Sequence, residues 1–144
     1  MPVFALDSSC MIAALLPEHR HHGRALQAIN SRLDARHTMI VVAHTLLETY
    51  SSLTRMPAPS RVAPSVALSG IEDTFFTKGV VVAMRHDEYV QLMYRLVNGG
   101  TLGGQVYDAA IVACARSAGA DELLTFNERH FRPFEGNGLA ITVP

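Results

Sequence analysis

The sequence predicts an α/β fold: a mostly parallel central sheet of four to five strands, flanked by helices on both faces. Three observations carry this. Short apolar runs alternate along the chain with longer segments of helical periodicity, the order that builds parallel sheets through crossover helices. The runs are continuously apolar, as strands covered on both faces are. The 144 residues are 49% apolar and hold no repeat or low-complexity stretch, which suits one domain over 1–144 with a sizeable core.

Each element follows from local signals. Val3-Phe4-Ala5-Leu6 reads as a strand over 3–6. Ser8 or Ser9 can cap a helix reaching Leu16, where Pro17 follows. A second helix is expected from His19 to Leu33, on the spacing of Ala25, Leu26, Ile29 and Leu33. Met39 to Val42 is the second strand and His44 to Arg55 the third helix. Pro57, Pro59 and Pro64 make residues 56–64 a loop. A fourth helix is expected from Pro64 to Phe75, and a third strand from Gly79 to Met84.

The next helix, Asp87 to Val97, has Tyr89, Val90, Leu92, Met93, Leu96 and Val97 as its expected apolar face. Residues 98–105 carry four glycines and read as a flexible loop. An Ala-rich helix over Val106 to Ala118 ends at Gly119. Leu123 to Phe126 and Leu139 to Val143 complete the strands.

Charge and composition narrow the function. The formal net charge of −1 excludes a globally basic nucleic-acid binder, so any phosphate contacts must come from a local patch. Of 12 cationic residues, 11 are Arg, which suits bidentate phosphate contacts; a bias in genome composition explains the same preference. Cys10 and Cys114 lack metal-site spacing and fall among apolar residues of expected helices. They read as reduced core residues of a cytoplasmic protein. No apolar run approaches the roughly 20 residues of a membrane helix. The N-terminus lacks a basic region and Asp7 interrupts its apolar run, so no signal peptide is expected. Aromatics make up 7% with no Trp, which argues against a broad base-stacking platform. His19, His21 and His22 read as a solvated cluster, since no partner lies at structural-zinc spacing.

Four acidic or amide residues stand where a parallel sheet can gather them. Asp7 closes the first strand, Glu48 lies in the helix after the second, Asp108 opens the Ala-rich helix, and Asn127 follows Leu123-Leu124-Thr125-Phe126. Ligands of open α/β sheets bind at the carboxyl ends of the strands. A carboxylate cluster there suits Mg²⁺ or Mn²⁺, hard cations that prefer oxygen. Each residue also has a purely structural reading. Asp7 can cap the following helix. Glu48 lies opposite the stripe of Leu46, Leu47, Tyr50 and Leu53 and can be a solvated surface residue. Asp108 is favoured by the dipole of its helix. Asn127 can cap the turn beginning at Glu128. His130 is near enough in sequence to line the same place.

These residues lie in segments that resemble a known family. LDSSCMIAALLPEH resembles the opening of PIN-domain nucleases, and ETYSSLTR, with Glu48, their second acidic motif. GGQVYDAAIVACARSAGADELLTFNERHF resembles the third and fourth motifs together. The resemblance runs from Val3 to the last strand, and the size is similar to that of VapC-type toxins of prokaryotic toxin–antitoxin pairs.

The resemblance implies metal-dependent hydrolysis of RNA phosphodiesters. Asp7, Glu48 and Asp108 match the three acidic metal ligands. Asn127 matches a fourth position that is often Asp, so a second metal site is weakened and a one-metal resting state expected. Ser9 and Thr125 match hydroxyl residues that support the ligands. Arg55, Arg85, Arg116 and Arg129 are the candidates for phosphate contact. A cognate antitoxin and a homodimer are the partners implied. Two rivals remain. A phosphatase of the haloacid dehalogenase type would need a second Asp where Ser9 stands. A PIN-like module that binds RNA or protein without cutting is compatible with Asn127.

Overall fold

Five strands form one sheet, and every neighbouring pair is parallel. They are β1 (Val3–Leu6), β2 (Thr38–Val42), β3 (Val80–Val82), β4 (Glu122–Leu124) and β5 (Ala140–Thr142), in the order β3-β2-β1-β4-β5. Seven α-helices connect them: α1 (Ser8–Leu15), α2 (His22–Asp34), α3 (Ala43–Arg55), α4 (Pro64–Ile71), α5 (His86–Asn98), α6 (Gln105–Ser117) and α7 (Glu128–Phe131). This computed structural model describes residues 1–144.

Both faces of the sheet are covered, which is why its strands are apolar throughout. Phe4, Leu6, Met39 and Val41 point to one side and pack with Met11, Ile29 and Phe75. Ala5, Ile40 and Val42 point to the other and pack with Ile111, Val112, Phe131 and Ile141. Cys10 and Cys114 are buried free thiols, one on each side, as expected. A bidentate pair fastens α2 to β4: Arg32 Nε to Glu122 Oε1 at 2.7 Å and Nη2 to Oε2 at 2.9 Å. No helix is long and apolar enough to cross a membrane.

The chain departs from β1 to β2 and β3 on one side, then returns to place β4 and β5 on the other. The strand order therefore reverses at the β1–β4 pair, and the crevice of such a sheet opens outside the carboxyl ends at that reversal. Leu6 of β1 is registered with Leu124 of β4, so Asp7 and Thr125 follow side by side.

Several boundaries differ from expectation. α2 begins at His22, because residues after Leu16 form turns through the Leu16 and His19 carbonyls. The fourth helix stops at Ile71 and widens into a π turn, Glu72–Phe76, which buries Phe75. The close approach of Gly79 to Val41 and Phe75 follows from this: a Cβ there would lie 2.9 Å from Val41 Cγ2 and 3.0 Å from the Phe75 carbonyl oxygen.

The helix faces also differ. α5 buries only Leu92 and Leu96; Tyr89, Val90, Met93 and Val97 of its expected apolar face are exposed. In α3 the inward residues are Thr45, Thr49 and Leu53, while Leu47 is 71% exposed. The Thr45 hydroxyl donates to the Val42 carbonyl at 2.7 Å and that of Thr49 to Met11 Sδ at 3.7 Å, so neither is buried unsatisfied.

The corrected phase of α3 is directly testable. Leu53→Ala is expected to lose about 2–5 kcal/mol in urea denaturation, through transfer and cavity terms. Leu47→Ala is expected to stay within about 0.5 kcal/mol, as exposed substitutions do. Equal losses would contradict this packing.

Candidate active site

Asp7 is held by three neutral donors. Its Oδ1 accepts from the Ser9 hydroxyl at 2.5 Å and the Cys10 N–H at 3.2 Å, and its Oδ2 accepts from the Thr125 hydroxyl at 2.7 Å. The Cys10 contact is the helix cap foreseen as its structural role. Yet Asp7 is only 2% exposed and takes part in none of the ion pairs of the structure. Burial lifts its carboxyl from the ordinary 3.8 to about 6, against the opposing pull of the Ser9, Thr125 and Cys10 hydrogen bonds.

Both hydroxyls reach onward. Ser9 Oγ accepts from the Phe126 N–H at 2.9 Å, and Thr125 Oγ1 accepts from the Asn127 N–H at 2.8 Å. Each spends its proton on Asp7 and a lone pair on the turn after β4. Asn127 is thereby fixed beside Asp7 through its backbone. Asn127 occupies the N-cap position of α7 and its carbonyl accepts from the His130 and Phe131 N–H groups, but its side chain is exposed and makes no capping hydrogen bond.

Glu48 and Asp108 form the second half of the site. Glu48 is half-buried on α3, and its Oε1 is shielded from solvent without any hydrogen-bond partner. Its Oε2 lies 3.9 Å from His44 Nε2, one turn earlier. Burial raises the Glu48 pKa, His44 opposes, and the charge of Asp108 raises it further. Asp108, in the first turn of α6, is likewise raised by burial against the pull of His130, whose Nδ1 lies 3.5 Å from its Oδ2. His130 thus touches one of the acids.

The four predicted residues are brought together in pairs. Asp7 and Asn127 are joined through Thr125, and Glu48 and Asp108 sense one another's charge. No three carboxylate, imidazole or thiol side chains close on one point at ligand distance. The chemistry of the donors still fits a hard divalent cation: they offer oxygen, and all three acids are desolvated and raised. Glu48 Oε1 is the specific mark, a buried carboxylate oxygen with nothing to bind.

The structure also ranks the arginines. Arg85 pairs with Asp87 at 3.1 Å and closes the α5 capping box, and Arg116 donates to the carbonyls of Phe134 and Gly136. Arg55 sits in the last turn of α3. Arg129 alone of the four lines a concavity with Asp108, beside His130, Gly104 and Gln105. Sequence reasoning missed His44 and Tyr107, whose rings stack at 5.7 Å and 4° beside Glu48 and Asp108. The i,i+4 spacing of His44 and Glu48 was the one available signal.

The raised Asp7 pKa has a signed consequence for stability. Its folded value of about 6 exceeds its ordinary 3.8, so the folded state binds the extra proton and stability falls as pH rises between the two. In EDTA at pH 7, Asp7→Asn should therefore be more stable than wild type by up to about 3 kcal/mol. That gain should shrink toward zero near pH 4. Urea denaturation at the two pH values checks it, and a variant less stable at pH 7 than at pH 4, relative to wild type, would contradict it.

Known proteins share this framework. The family model described as PIN domain matches residues 4–135. Ribonuclease VapC40 of Mycobacterium tuberculosis is 32% identical over 133 residues, 92% of each chain. Ribonuclease VapC27 of the same organism is 31% identical over 142 residues, 99% of this chain and 97% of that protein. Among solved structures, M. tuberculosis VapC20, a sarcin-ricin loop cleaving toxin, superposes with a TM-score of 0.68 at 22% identity, covering 90% of this chain and 94% of its own. DNA-bound VapBC from Salmonella typhimurium superposes at 0.65 with 24% identity, covering 99% and 98%. At these identities the structural likeness speaks for the fold. Matched by that model over nearly its whole length, and alike to both ribonucleases, the chain belongs to the PIN-domain family.

Proposed function

We propose that the protein is a metal-dependent endoribonuclease and the toxin of a type II toxin–antitoxin pair. The observation that carries this reading is the Asp7 carboxylate, buried at the carboxyl end of β1 without a cationic partner, with Glu48 and Asp108 as a second, likewise desolvated acidic pair. Two relatives named ribonucleases, similar over nearly the full chain, supply the substrate class. Solved neighbours that are VapBC complexes support a cognate antitoxin as partner. A homodimer and a cytoplasmic setting complete the proposal.

In this reading Asp7, Glu48 and Asp108 hold Mg²⁺ or Mn²⁺, and Asn127 adds a neutral oxygen. A bound divalent cation supplies Lewis-acid chemistry: it acidifies water and offsets charge developing on the phosphoryl group. The side chains do the positioning. Ser9 and Thr125 hold both oxygens of Asp7 in place. His130 steadies Asp108, and His44 steadies Glu48. Asn127 contributes no charge, which favours a single tightly held cation.

The neutral, exposed Asn127 is also the one feature that favours a second reading, a module that binds RNA or protein without cutting it. Cleavage of total cellular RNA separates the two. Discrete fragments are expected with Mg²⁺ or Mn²⁺, none in EDTA, and none from an Asp7→Asn, Asp108→Asn double variant. Thr125→Val, which removes a support of Asp7 but no ligand, should slow cleavage by about 10–100-fold. Absence of cleavage under every metal, with folded protein, would favour the binding module.

A further inference from the structure

An apolar pocket of about 240 Å³ opens between α5 and α6, beside the acids. Met84, Tyr89, Met93 and Val106 line it, together with His44 and Tyr107. Those two rings belong to both places: His44 contacts Glu48, and Tyr107 directly precedes Asp108 on α6. Asp108 meanwhile lines a second concavity of about 490 Å³ with Gly104, Gln105, Arg129 and His130, and no apolar residue. On one turn of α6, therefore, Tyr107 faces an apolar pocket and Asp108 a polar, cation-bearing one.

We propose that the apolar pocket holds one unpaired RNA base, stacked at the His44–Tyr107 ring pair, while Arg129 takes the adjoining phosphate. This rests on the ribonuclease reading and deepens it. The pairing of the two concavities selects the occupant. Consecutive residues line them, so a ligand that fills both must carry a flat apolar face close to an anion, and a nucleotide does. Single-stranded RNA is recognised through splayed-out bases stacked on aromatic rings. The volume lies below the roughly 300–1,000 Å³ typical of sites for larger ligands, so it suits one ring system better than a peptide segment. With an almost wholly apolar lining, the pocket reads a base by stacking and burial, a sequence-tolerant mode. Tyr89 and Met93 are exposed on α5 and also suit a second copy of this chain, the rival occupant.

The test is a set of otherwise identical single-stranded RNAs carrying 2-aminopurine at each position in turn, titrated with the whole protein in EDTA so that nothing is cut. Because the pocket accepts any base, a change of fluorescence on binding is expected at one or more positions. Tyr107→Leu should abolish that change and weaken binding about 5- to 150-fold, the range for loss of one base–aromatic stack. Tyr107→Trp should keep both. Arg129→Gln should loosen every RNA alike and lower the salt slope by about one. RNA bound with no fluorescence change at any position, or with Tyr107→Leu indistinguishable from wild type, would overturn the pocket while leaving the ribonuclease standing. So would a Tyr107→Leu protein that binds RNA normally but halves its mass in light scattering, since the pocket would then belong to a second copy. RNA cleavage absent in the companion assay, with no RNA bound here, would overturn both readings together.

Discussion

A single buried carboxylate organises this end of the molecule. Asp7 gathers the Ser9 hydroxyl, the Cys10 N–H in the first turn of α1 and the Thr125 hydroxyl, and those hydroxyls in turn fix the backbone of Phe126 and Asn127. The end of β1, the start of α1 and the turn after β4 are thus locked to one pair of oxygens. All the donors are neutral, so the charge itself stays uncompensated, and the raised pKa records that. A fold selected for stability alone would place a neutral group there, since an unpaired buried charge opposes folding. Its presence at the sheet's reversal point is what a cation site requires of the protein in advance: oxygens already oriented and already stripped of water.

The topology explains why residues so far apart in sequence share one neighbourhood. Parallel strands all end on the same side, so the residues that follow β1, β2 and β4 emerge together. β1 and β4 deliver Asp7 and Thr125 as neighbours by register. α3 leaves β2 without a linking residue and carries Glu48 one and a half turns along. α6 brings Asp108 in its first turn, where the His130 contact ties it to α7. The two well-packed faces hold this geometry, with Asp7 and Thr125 buried between them and Glu48 and Asp108 partly exposed at the rim.

Much of this was legible in the residues, and the pattern of failure is physical. The strands and Asp7 were readable because both signals are local: an apolar run, then a charge that breaks it. The all-parallel sheet followed from alternation of elements. The phase of α3 departs from the sequence expectation because its inward face is made partly of Thr45 and Thr49, whose hydroxyls are satisfied inside the protein and look polar only in the sequence. α5 departs in the opposite sense, since Tyr89, Val90, Met93 and Val97 have helical spacing yet lie on the exposed side. Periodicity identifies an apolar face without saying what covers it. The His44–Tyr107 stack joins residues distant in sequence, and no local pattern announces such a contact. Likewise, the four Arg candidates were indistinguishable until the structure committed Arg85 and Arg116 to partners of their own.

The central claim is that the Asp7 carboxylate and its acidic neighbours are a preorganised cation site. Anomalous diffraction from crystals soaked in Mn²⁺ tests it most directly. The account predicts one dominant peak in contact with Asp7, with Glu48 or Asp108 completing the ligands, and its loss in Asp7→Asn crystals. A peak elsewhere, or occupancy unchanged by that substitution, would contradict it.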